Sequence, residues 1–158
     1  AGNIPKPTFW TFYFFKQLKL FGSDCVFKDK EAVIVKNEKG YAGILWNIDE
    51  DEYTKEITIP GADKAEYTLI TKTVDEECCN PLKIWHDMGE PAYPCEEQTE
   101  LIKSAAQPLT QSSIIKDTDG SAVIDIRLGK NAVVYFTLSE RKHTPDRGYD
   151  YDKVLNFH

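Results

Sequence analysis

The stretch PTFWTFYFFKQL, residues 7–18, places six aromatic side chains in twelve positions. No other segment restricts the fold so tightly. At the 100° per residue of an α-helix, Phe9, Trp10, Phe12, Tyr13, Phe14 and Phe15 spread around the cylinder instead of forming one stripe, and Leu18, Leu20 and Phe21 continue the pattern. A helix that is apolar all round has to be buried all round. At roughly 150–250 Å² per ring and about 25 cal/mol per Å², enclosing six rings is worth on the order of 20–35 kcal/mol as an upper bound. One sheet covers one side of such a helix, so the pattern calls for a second surface.

Composition narrows the choice of that surface. Lys and Arg number 19 against 26 Asp and Glu, a net charge of −7, which opposes association with nucleic-acid backbones and anionic membranes. The aromatic run is no targeting segment, because it lacks a basic start and a small-residue cleavage site and leads directly into Lys16-Gln17-Leu18-Lys19. It is also shorter than the roughly 20 apolar residues of a membrane span. A soluble chain follows. The four cysteines, two of them adjacent at Cys78 and Cys79, suit free thiols in a reducing cytoplasm better than a disulfide framework.

Beyond Gly22 the hydrophobic period drops from 3.6 to 2. DCVFK (24–28), AVIVK (32–36), YAGILWN (41–47), KEITI (55–59) and EYTLITKTV (66–74) are separated by turn-rich segments and read as a run of antiparallel hairpins. Ala42, Ile44 and Trp46 share one face of the third run, while Tyr41 and Leu45 make the other face apolar too. That strand needs cover on both sides. Residues 75–108 break the rhythm with two Pro-bounded helical pieces, one opening at Pro81 and one after Pro94 with Glu96 and Glu97 in its first turn. SSIIK, SAVIDIRL and AVVYFTL then resume the alternation. About eight strands at this spacing predict a mainly β fold, an antiparallel β-sandwich with an N-terminal aromatic helix and a helical insertion.

Polar signals are weak one by one. Glu38 and Glu90 sit in turn-like contexts, and Asp49, Glu50, Asp51 and Glu52 form a hairpin tip without the closing glutamate of a calcium loop. DTDGS imitates such a loop but lies between strands. Cys78, Cys79, His86 and Cys95 fall within eighteen residues without a CxxC or HxxxH pair, so no metal or other cofactor is expected. Trp85, Tyr149 and Tyr151 are candidates for sugar stacking, with Tyr93 beside them, since exposed aromatic faces suit sugar rings.

Two segments carry a family resemblance. PKPTFWTFYFFKQL resembles the last helix of the (β/α)₈ barrel in glycoside hydrolase family 39, the β-xylosidase family, and NPLKIWHDMGEPAYPCEEQTELIKSAAQP resembles a segment of that family's C-terminal sandwich. The resemblance runs to about Ser139. It implies residues 1–21 as the last barrel helix, 22–139 as an accessory β-sandwich with insertion 75–108, and 140–158 as a tail. It further implies a longer parent chain whose two catalytic glutamates, in a retaining geometry with carboxyls about 5 Å apart, lie before Ala1, with a xylo-oligosaccharide as the parent's substrate.

On this reading no residue here is catalytic, and Phe9, Trp10, Phe12, Tyr13, Phe14 and Phe15 form the interface to the barrel. The family resemblance also implies a strand from before the barrel that joins the sandwich. NIDEDE or the 80–95 insertion would approach the active-site mouth or a neighbouring subunit of a homo-oligomer. The alternatives are a carbohydrate-binding module and an Ig-like interaction domain that uses the aromatic helix as its binding face.

Overall fold

The computed structural model describes residues 3–48, 50–116 and 119–142. Helix α1 (Pro7–Phe21) opens with a proline in its first turn, where the missing N–H costs nothing, and closes where the Gly22 N–H donates to the Leu18 carbonyl at 3.3 Å. Eight strands follow: β1 (Asp24–Lys28), β2 (Ala32–Asn37), β3 (Gly40–Trp46), β4 (Tyr53–Ile59), β5 (Glu66–Val74), β6 (Leu109–Lys116), β7 (Ala122–Leu128) and β8 (Val133–Glu140). Two helices, α2 (Pro81–Asp87) and α3 (Glu96–Ala105), interrupt the β5 to β6 connection. Both start at the proline-marked positions, and Asn80 caps α2 by accepting from the Lys83 N–H at 3.1 Å.

The strands form two very unequal layers. Among the described residues one sheet has six strands in the order β1-β2-β3-β8-β5-β6, and the other pairs β4 with β7, antiparallel. The expected run of hairpins holds for β1-β2-β3 and fails after it, because β4 leaves for the second sheet and β5 pairs with β8 and β6. Side-chain chemistry explains the departure. The inner face of β4 carries Ile57 and Ile59, and β7 supplies Ile124, Ile126 and Leu128. These cover Tyr41, Leu45, Val134, Phe136 and Leu138 on the six-stranded sheet, a contact that neighbours in one sheet cannot make.

The sequence reading of β3 is borne out on both faces. Tyr41 and Leu45 enter the core between the sheets, while Ala42 and Ile44 meet α1 on the outside. Gly43 leaves the space that the Phe136 ring fills: a Cβ there would lie 2.4 Å from that ring.

Lys55 is an inward-facing charge among the apolar residues of β4. It reaches the β1-β2 turn, with its Nζ 2.7 Å from Asp29 Oδ2 and 3.0 Å from Glu31 Oε2, and so ties the two sheets together. Burial alone would raise the Asp29 carboxyl, but the hydrogen bonds from Lys55 and the Glu31 N–H bring it below 3.8. Burial would likewise lower Lys55, and its two carboxylate partners carry it above 10.5.

A depressed acid stabilises above its unfolded pKa and loses that contribution as pH falls through its folded value; a raised lysine loses its own as pH rises through its folded value. Native chain is therefore expected to unfold at higher denaturant than Lys55→Met at neutral pH. The gap should narrow below pH 3.8 and above pH 10.5. A gap that stays constant across a pH series of urea melts would show that the Lys55 contacts contribute nothing.

No helix among the described residues is long and apolar enough to cross a membrane. The tail from residue 143, with Tyr149 and Tyr151, lies outside the described residues.

Candidate functional site

The chemistry of α1 is set by which part of its circumference the sheet can reach. Phe14 and Leu18, four residues apart on one face, are buried against Val35, Ala42, Ile44, Val74 and Tyr135 on the outer side of the six-stranded sheet. Phe14 stacks on Tyr135 with ring centroids 5.6 Å apart and planes 18° from parallel. Burial raises the Tyr135 hydroxyl above its ordinary value. At the flanks, Trp10 and Tyr13 are half-buried, and the Trp10 indole N–H donates to the Ala106 carbonyl at 2.7 Å. That bond ties the first turns of α1 to the end of α3. At the other end, Asn37 Nδ2 donates to the Phe21 carbonyl at 2.9 Å.

The opposite face is bare. Phe9 is 52 % exposed, Phe12 71 % and Phe15 45 %, with Leu20 beyond them. Three phenylalanines at successive three-residue steps leave this side of α1 apolar and exposed, a feature of the kind that marks an interaction surface. The six aromatics expected at an interface differ in how far this chain already covers them. Phe14 is enclosed within this chain, Trp10 and Tyr13 are shared with α3 and the sheet, and Phe9, Phe12 and Phe15 remain available. The reason is geometric: a helix laid on a sheet turns about a third of its circumference inward, whatever residues lie there.

The remaining candidates do not converge. Trp85 is half-buried on α2, its indole N–H donating to the Pro91 carbonyl at 3.2 Å. Tyr93, in the loop between α2 and α3, is 95 % exposed. Among the described residues these two make no stacked pair. Tyr149 and Tyr151 lie outside the described residues. Glu90 pairs with His86 at 2.5 Å on the surface. Glu38 is exposed in the β2-β3 turn. Glu52 is held below its ordinary pKa by the hydrogen bond from Arg127, and Asp49 lies outside the described residues.

Among the described residues no three His, Cys, Asp or Glu side chains come together in a metal-holding group. Cys79 is buried with its thiol toward the Ala106 carbonyl, and burial pushes its pKa to about 11, whereas Cys95 is exposed.

Sequence reasoning missed Asn47. It is buried at the end of β3, and its side-chain N–H groups donate to the carbonyls of Glu50, Asp51 and Gly129 at 3.1, 3.2 and 2.9 Å. It shapes the loop that leaves β3. The available signal was an asparagine between an apolar strand and an acidic turn, a position that favours side chain to backbone bonding.

Comparison with known proteins places this surface in context. The sequence profile of Glycosyl hydrolases family 39 matches residues 2–122. A β-xylosidase of Geobacillus stearothermophilus is 31 % identical over 144 residues, covering 87 % of this chain and 28 % of the relative. A β-xylosidase of Caldicellulosiruptor saccharolyticus is 28 % identical over 113 residues, 65 % of this chain and 23 % of the relative. The chain thus spans about a quarter of the length of the curated relatives it matches. Among solved structures, a monomeric β-xylosidase from Caulobacter crescentus CB15 superposes with a TM-score of 0.71 at 16 % identity, covering 88 % of this chain and 31 % of that one. The matched region of the curated relatives is C-terminal.

Proposed function

The chain belongs to glycosyl hydrolases family 39, and from that membership we propose that it is the C-terminal accessory region of a retaining β-xylosidase. In this reading the parent enzyme hydrolyses β-1,4-xylosides such as xylo-oligosaccharides, and residues 1–21 are the last helix of its catalytic (β/α)₈ barrel. The sandwich of residues 22–139 braces that barrel. The observation that carries the reading is the bare stripe of Phe9, Phe12 and Phe15 on a helix whose other face is already committed to the sandwich.

Helix direction adds a second support. In a (β/α)₈ barrel the helix after each strand begins at the face that holds the active site. The first turns of α1 touch the helical insertion through Trp10 and Ala106, while its last turn touches Asn37 at the end of β2, beside the turn into β3 and at the opposite end from the loop that leaves β3. Both the loop after β3 and the insertion with Tyr93 therefore belong at the catalytic end of the parent. The two-stranded sheet offers a place for the strand that the family pattern brings from before the barrel. Beside β7 an open cleft of about 280 Å³ is lined by Asp125 and Arg127 of β7 and by Thr71, Thr73, Gln111 and Ser113 of β5 and β6. A third strand there would extend a layer that two strands alone make marginal.

Retaining hydrolysis needs a general acid/base and a nucleophile about 5 Å apart, and the reading places both in the preceding part of the parent. The expected result is that the longer chain releases the aryl group from an aryl β-xyloside with retained configuration, while the 158-residue chain releases none. Turnover by the 158-residue chain that survives purification would sink the accessory reading. A longer chain inactive on xylosides but active on another glycoside would move the substrate assignment alone.

A further inference from the structure

Beside the bare stripe lies an apolar groove that docking of the helix alone leaves empty. It has a volume of about 340 Å³ and is lined by Thr11 and Phe15 of α1, Trp46 at the end of β3, Ile48 just after it and Val133 of β8. The Phe15 and Trp46 rings stand 6.4 Å apart at 45°, an open wedge and not a closed stack. Ile48 is 68 % exposed although it directly follows the buried Asn47. Asn47 fixes this geometry, because its three bonds to loop carbonyls hold the chain on either side of Ile48. A cavity of about 150 Å³ accepts a benzene ring, so the groove has room for a large apolar side chain.

Three observations choose the occupant. The chain matches the C-terminal part of relatives of which it spans 28 %, so the family's remaining chain lies mostly before α1. That chain enters at Pro7, one turn from Thr11 on the groove wall. A second copy is disfavoured by charge, since Glu50, Asp51 and Glu52 follow the groove in a chain of net charge −7.

We infer that the groove of Phe15, Trp46 and Ile48 is a socket for a large apolar side chain from the catalytic part of the parent, which locks the sandwich itself, and not only α1, to that part. The inference rests on the accessory reading. It adds that β3 and the loop after it share the interface, so that the two parts move as one body.

The test is a photo-crosslinking benzophenone amino acid at position 48 of the longer chain, with the same group at Glu56, an exposed position of β4, as control. After irradiation and peptide mapping, position 48 is expected to link within the chain to a residue preceding Pro7, and position 56 is not. Links between two chains, links confined to residues 3–142, or a yield at position 48 no greater than at position 56 would each overturn the socket. Xyloside hydrolysis by the unlabelled longer chain is measured alongside. An active enzyme without the expected link removes the socket and keeps the accessory reading, whereas a link in a chain without glycosidase activity does the reverse.

Discussion

Phe14→Ala is expected to destabilise the 158-residue chain by about 3–5 kcal/mol, the range for removing a fully buried phenylalanine, with an unchanged dependence on urea. Phe14 has no solvent exposure and fills the contact between α1 and the outer face of the sheet, stacked on Tyr135 and beside Ala42 and Ile44. Neighbouring backbones on a six-stranded sheet cannot collapse into the space, so most of the cavity cost remains. The companion variant is Phe12→Ala, two residues away on the bare face. It should change the stability of this chain by less than about 0.5 kcal/mol. In the longer chain the proposed barrel contact would enclose the ring, and Phe12→Ala is then expected to become costly. Equal losses for the two variants in the 158-residue chain would contradict the division of α1 into an inner and an outer face.

Gly40→Ala is the second large effect, and it acts through backbone. The β2-β3 turn consists of Glu38 and Lys39, with Asn37 Oδ1 accepting from the N–H groups of Lys39 and Gly40 at 2.7 and 3.2 Å. Gly40 then leaves the turn at φ +141°, a region open to glycine and strained for any residue with a Cβ. A Cβ there would sit 2.1 Å from the Leu138 carbonyl oxygen on the paired strand. No rotamer change relieves a clash with backbone, so the pairing of Gly40 with Ser139 has to open. Strain and overpacking together predict a loss of about 3 kcal/mol or more, with faster amide exchange at the Leu138 end of β8. Near-native stability of Gly40→Ala would show that the strand end moves freely.

Much of the architecture was legible because the signals were local. Eight strands, the opening helix and both insertion helices follow from hydrophobic period, prolines and turn residues, each acting over a few positions. The two-sided burial of β3 was legible too, since Tyr41 and Leu45 against Ala42 and Ile44 allow no solvent face. Pairing was harder. β4 and β5 look like partners along the chain, yet β4 pairs with β7 about 70 residues on, at Ile57 with Ile124. Alternation says which face is apolar, not which distant strand supplies the cover.

The same division runs through the candidate surface. The aromatic content of residues 7–18 by itself determined that the first helix needs two apolar surroundings, because no single layer encloses six rings spread around a cylinder. Only the tertiary structure decided which rings meet which surroundings. The direction in which Phe14 points depends on where β2, β3, β5 and β8 place Val35, Ala42, Val74 and Tyr135, and on the anchors at Trp10 and Phe21 that set the helix's rotation. Those contacts join residues as far as 121 positions apart in the sequence, Phe14 to Tyr135. Burial is a property of neighbours in space, and a one-dimensional pattern records only how much of it a segment requires.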